Sequence, residues 1–205
     1  MAKKAPQVLC LKITLEHIDP APWREIEIRS DRTLPHLHDA IQAAFLWSDM
    51  HLWEFAIGNR RYQKKNDDFW TEPMFGLPVM EATTKRLDFF LNASVLPMIY
   101  TYDFGDDWAH RVELVSRRPV VPNEPLPRFV GGQWATPPEN IGGPPMYEVF
   151  QEARGDAKHP EHDWAKEAGY VDWARDEIHA DTVTEQFAKL QRQKTRRTSL
   201  WVREG

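Results

Sequence analysis

Around Gly105 the chain alternates in both directions. Met98, Tyr100, Tyr102 and Phe104 place a large side chain at every second position into Gly105-Asp106-Asp107, and Trp108, His110, Val112 and Leu114 do the same on the way out. A side-chain period of two buries one face only in a strand, and two such runs flanking a Gly/Asp turn make an antiparallel hairpin. Helix is thereby excluded over roughly residues 98–116, and the chain is committed to a sheet with one buried face. The same period sets Trp108 and His110 on the buried side. A lone histidine there reads first as a hydrogen-bonded core residue. Asp103, Asp106 and Asp107 read as turn residues, at least one of which bonds backbone amides.

Other segments repeat the pattern. Leu9, Leu11, Ile13 and Leu15 alternate with Cys10, Lys12 and Thr14; "IDPAP" breaks the run, and "WREIEIR" resumes it with Ile26 and Ile28 inward, so the two form a second antiparallel pair. Leu34, Leu37, Ile41, Ala44 and Phe45 recur at three- and four-residue spacing, which predicts an amphipathic helix of about 14 residues from an N-cap at Thr33 to near Trp47 and Ser48. "HLWEFAIGNRRY" then predicts a strand with Trp53, Phe55 and Ile57 on one face, turning at Gly58-Asn59. Residues 66–80 read as loop, and "KRLDFFL" with "VLPMIYTY" as strand or helix-then-strand.

Eight of the sixteen prolines and two Gly-Gly pairs fall within Pro119–Pro145, so no regular element is expected to run far there, and the segment reads as a long ordered loop or a covering flap. "MYEVFQEA", "HPEHDWAKEAG" with Pro160 in its first turn, and Thr182 to Arg197 read as helices. The fold class is α+β: one compact domain, a mostly antiparallel sheet with helices packed on it, and a C-terminal helical extension.

No apolar run approaches the ~20 residues of a membrane span, and the expected setting is the cytoplasm. One cysteine, Cys10, excludes an internal disulfide. The net charge of −5 is uneven: residues 1–188 hold 20 basic and 30 acidic side chains, whereas Lys189, Arg192, Lys194, Arg196, Arg197 and Arg203 face one acid in the tail. An acidic body repels duplex DNA, leaving at most weak nucleic-acid contact by the tail.

The Asp-Phe-Gly of residues 103–105 matches the magnesium loop of protein kinases, but no glycine-rich phosphate loop, strand lysine or His-Arg-Asp loop precedes it. Three clusters carry groups suited to chemistry. They are Asp103, Asp106, Asp107 and His110 at the hairpin, Glu139 in "PPEN", and His159, Glu161 and His162 in "KHPEH". Converging, they would suit a divalent metal and a hydrolytic water, with His110, Asp103, Asp106 and Glu139 as ligands or base and His159 and His162 as further ligands. The competing reading gives the two histidines a capping role and Glu139 a loop-fixing one. A flap carrying Glu139 over Trp53, Trp108 and Trp134 would instead make an aromatic groove for a peptide, a partner protein or a small molecule.

"LKITLEHIDPAPWREIEI", "TLPHLHDAIQAAFLW", "HLWEFAIG", "YTYDFGDDWAHRVEL", "ATPPENIGG" and "KHPEH" stand in the order and spacing of the plasmid pRiA4b Orf3-like family, which the chain resembles over about residues 7–165. Residues 166–205 would then be the extension. The resemblance implies a compact α+β domain of bacteria and archaea, found on plasmids and as a passenger of insertion elements, and it implies no particular reaction. A resolvase-like label attached to some relatives finds no support here, since Ser116 lacks the pattern of a serine recombinase. Phe129, Thr136 and Asn140 stand where relatives commonly carry Cys, Cys and Asp, so a metal or disulfide built on those groups is closed to this chain. The leading expectation is a non-catalytic binding or accessory domain; the alternative is a metal-dependent phosphoester hydrolase.

Overall fold

The structure is a computed structural model that describes residues 5–64, 77–91, 97–168 and 174–201, with side chains in the last helix described through Arg192. The expected loop at 66–80 and the tail cations Lys194, Arg196, Arg197 and Arg203 therefore fall largely outside the described residues.

The alternating runs become strands: β1 (Gln7–Leu15), β2 (Trp23–Arg29), β3 (Trp53–Ile57), β4 (Arg60–Gln63), β5 (Val79–Glu81), β6 (Met98–Tyr102), β7 (Trp108–Pro119) and β8 (Arg128–Gln133). They form one sheet in the order β5-β4-β3-β6-β7-β1-β2-β8. Every neighbouring pair is antiparallel except β4 and β5. The register Tyr100↔His110 and Leu15↔His110 puts the hairpin histidine in the middle of the sheet. Leu9, Leu11, Ile13, Ile26, Ile28, Phe55, Tyr100 and Val112 are fully buried on one face, as the period of two requires.

The helices are α1 (Leu34–Phe45), α2 (Leu87–Leu91), α3 (Gly143–Gly155), α4 (His162–Ala168) and α5 (Ala180–Trp201). Among the described residues no helix is long and apolar enough to cross a membrane. Thr33 is the N-cap of α1, its amide donating to His36 Nδ1 at 3.4 Å. The helix stops two residues before the expected end because Leu46 adopts a left-handed conformation, φ 59°, as its C-cap. That early stop turns Trp47 inward and Ser48 outward. The α4 helix begins at His162, so Pro160 precedes it rather than sitting in its first turn. Val183 and Phe187 of α5 are buried in the same core as the sheet.

The flap differs from expectation: six of its residues form β8, which pairs with β2 at the sheet edge. Gly132 makes the pairing possible, since a Cβ there would lie 2.6 Å from the Trp23 carbonyl. Glu27 on β2 accepts from Arg118 at 3.1 Å and from Arg128 at 2.7 Å, tying the flap's first turn to the sheet.

Candidate functional site

The flap closes on the hairpin. Beyond β8 the backbone turns at Trp134, φ 66°, and Ala135 N donates to the Arg175 carbonyl at 2.8 Å. Trp47 then donates its indole N–H to Pro137 O at 3.1 Å and stacks on Tyr102 with ring centroids 5.1 Å apart. Tyr102, its own hydroxyl accepting from Met50 N at 3.0 Å, donates to Glu139 Oε1 at 2.8 Å. The second carboxylate oxygen accepts from the Ser48 amide at 3.1 Å and from the Ser48 hydroxyl. Burial, reinforced by Glu139, pushes the Tyr102 phenol well above its ordinary range, so it stays a donor. At the far end Gly142 N donates to Asp106 Oδ2 at 3.1 Å. A Cβ on Gly143, φ 76°, would lie 2.3 Å from the Asp106 carbonyl, so only glycine permits this approach.

Within the turn Asp103 Oδ1 accepts from Gly105 N at 2.9 Å and from Asp106 N at 3.4 Å, while Asp107 is exposed. Trp108 is 1 % exposed and His110 fully buried. Phe45, Trp47 and Tyr100 surround the His110 ring at centroid distances of 4.9, 5.2 and 5.4 Å. Its Nδ1 lies 3.3 Å from the Tyr100 carbonyl, and Nε2 has no partner. Burial pushes its pKa down to about 3, which keeps the ring neutral.

The three sequence clusters therefore do different jobs. The flap brings Glu139 to Tyr102 and Asp106 to Gly142, while His110 lies enclosed by aromatic rings. His159 Nδ1 accepts from Glu161 N at 3.0 Å, and His162 Nδ1–H donates to the Ala153 carbonyl at 2.7 Å, joining α4 to α3. Among the described residues no three His, Cys, Asp or Glu side chains are grouped so as to hold a metal ion. Nor is there an aromatic groove between hairpin and flap: Trp108 and Trp53 are buried, Trp134 is half-buried, and Trp47 fills the contact. The flap packs down because Trp47 and Glu139 find complementary groups beneath it.

Among the described residues, open space lies elsewhere. A groove of about 770 Å³ runs between α1 and α5, floored by Leu46, Trp47, Ser48 and Asp49. A second polar relay fixes this floor. His38, buried on α1, lies 2.8 Å by Nε2 from Asp49 Oδ1 and 2.8 Å by Nδ1 from the Tyr100 hydroxyl. Gln42 Nε2 donates to that hydroxyl at 3.0 Å, and Gln42 Oε1 accepts from Asp49 N at 3.1 Å. With a proton on Nε2, His38 donates to Asp49, and its Nδ1 faces the Tyr100 hydroxyl. Burial holds the Tyr100 phenol far above its usual range. His38 stacks on Trp53 at 4.4 Å. Sequence reasoning passed over His38, Gln42 and Ser48; the available signal was a histidine and a glutamine beside Leu37 and Ile41 on the apolar face of a predicted helix.

A solved structure, a protein of unknown function, MM3350, from Methanosarcina mazei Go1, is 27% identical and superposes with a TM-score of 0.77, covering 87% of this chain and 98% of the other. An uncharacterized protein of Sinorhizobium fredii, y4hQ, is 27% identical over 198 residues, 97% of this chain and 96% of that relative. The model of the plasmid pRiA4b ORF-3-like protein family matches residues 7–184, which takes in the fold from β1 to the first turn of α5, and the chain belongs to that family.

Proposed function

We propose that this chain is a non-catalytic binding domain that serves plasmids or insertion elements as an accessory protein, and that its ligand seats in the groove between α1 and α5. The observation that carries the reading is the groove itself, a cleft of ligand size over a floor held by two polar relays. Preorganised walls of this kind lower the ordering cost of binding. Asp49, 55 % exposed, and Asp39 give the α1 side negative charge, Lys189 gives the α5 side positive charge, and Ala43, Leu46 and Leu190 supply an apolar strip between. Opposite charges across a short apolar span suit a zwitterionic ligand, and a short peptide is the class we favour. The acidic and imidazole groups that would serve a hydrolase instead hold backbone in place.

The test is a binding screen of the full chain against short peptides, with nucleotides and sugars as comparison classes, followed by the groove variant Thr182→Trp. Thr182 is exposed and lines the groove, so an indole there obstructs it without touching the core. Peptide binding that the variant loses supports the reading. Binding that survives the obstruction, or a screen in which no peptide engages the groove, rejects it.

A further inference from the structure

Six arginines of the fold meet carboxylates: Arg29, Arg61, Arg86, Arg111, Arg118 and Arg128. Arg24, at 1 % exposure, meets none among the described residues. Its Nε donates to Ala44 O at 3.0 Å, Nη1 to Trp23 O at 2.8 Å and Gln133 O at 3.0 Å, and Nη2 to Thr136 Oγ1 at 3.2 Å. All four acceptors are neutral. A guanidinium has five N–H donors, so one remains on Nη2, on the Thr136 side. Burial alone depresses the Arg24 pKa, to about 10, and the group remains a cation at neutral pH. The carbonyl end of α1, which Arg24 meets at Ala44, and the Phe45 ring, whose centroid lies 5.0 Å from Arg24 Cζ, offset part of the charge without neutralising it.

Arg24 and Thr136 line a small recess of about 30 Å³, closed by Phe45, Trp47 and His179. Leu46, Trp47 and His179 also line the larger groove, so the recess adjoins its inner wall. A cavity needs ~10–15 Å³ by this measure to admit one water, so the recess takes one or two water-sized particles and is too small for phosphate or sulfate. Glu177, also on its rim, is 55 % exposed and lies 3.4 Å from His179 Nδ1. We propose that the recess is a binding site for a small monovalent anion, either a halide or the carboxylate end of a molecule lying in the groove, seated against Nη2 of Arg24. A buried cation with no carboxylate partner among the described residues supplies the attraction, and the size of the recess supplies the selectivity. This goes beyond the groove reading and stands without it, because a halide alone suffices to fill the recess.

Bromide tests it directly. Crystals of the full chain grown without halide and soaked in bromide should show an anomalous peak within hydrogen-bonding reach of Arg24 Nη2, and formate should displace that peak if carboxylates share the site. A peak that formate leaves in place restricts the site to halides. Because Arg24 substitutions endanger the fold, the paired variant is Thr136→Leu, which fills the recess and keeps the guanidinium. It should lose the peak and show a smaller rise of Tm on adding bromide than the parent at equal ionic strength. Bromide peaks only at surface lysines and arginines, or a peak of equal height in Thr136→Leu, would overturn the proposal.

Discussion

Trp47 and Ser48 are adjacent in the chain and both line the groove floor, yet one is sealed and the other open. Trp47, 6 % exposed, is clamped under the flap by Pro137 and Tyr102; Ser48, beside it, is exposed on the floor of the α1–α5 groove. The hairpin–flap region concentrates the groups that look like chemistry and spends them on closure, through Glu139, Asp103, Asp106 and Tyr102. The groove has no conspicuous motif and keeps its space. A carboxylate–imidazole cluster in a sequence is thus a statement about hydrogen-bond capacity, and only the fold decides whether backbone or ligand uses it.

If the hairpin is core, its variants should fail by unfolding. Trp108→Ala is expected to cost about 3–5 kcal/mol, because a buried indole is replaced by a cavity. Denaturant midpoints measure this. A near-neutral result would make the hairpin an exposed loop and dissolve the contrast with the groove.

His110 gives the next effect. An unfolded chain protonates its imidazole near pH 6.5, whereas the native ring resists down to about 3. Stability is therefore unaffected by this group above about pH 6.5 and falls as pH drops from there toward about 3. The slope approaches ~1.4 kcal/mol per pH unit, roughly 3 kcal/mol over two units. His110→Phe should flatten that part of the acid-stability curve; an unchanged slope would show that the ring is not the buried neutral group described.

Glu139→Ala should cost about 1–3 kcal/mol, chiefly by leaving the Tyr102 hydroxyl buried without its acceptor. Faster amide exchange at Gly142 and around Trp134, with the groove's α1 wall unchanged, would separate flap closure from groove architecture. Exchange that rises equally in both would join them into one unit. Asp107→Asn should be smallest, within about 0.5 kcal/mol, since the side chain is exposed and asparagine tolerates the left-handed backbone, φ 55°, found there.

Much of the fold was legible because period-two alternation in β1, β2, β3, β6 and β7 and the three- and four-residue spacing of α1 are local properties. The β8 strand was not, since Phe129, Gly131 and Gly132 have no alternation and their pairing depends on the bulge opposite Glu25 and Ile26. The end of α1 was misjudged by two residues because Leu46 and Trp47 extend the apolar pattern past the point where Leu46 turns left-handed. Glu139 was legible as a loop-fixing carboxylate, but not its partners Ser48 and Tyr102, which lie 91 and 37 residues away. The groove was invisible for the same reason: α5 approaches α1 from some 140 residues downstream, and no local pattern records that distance.

The contrast between sealed hairpin and open groove is tested most directly by chemical-shift mapping of the full chain titrated with a peptide from the screen. The account predicts perturbations at Ser48, Asp49, Gln186 and Lys189, unmoved signals from Gly105 and the Trp108 indole, and loss of all perturbation in Thr182→Trp. Shifts concentrated at Trp108, Asp106 and Gly142, with the groove silent, would contradict it.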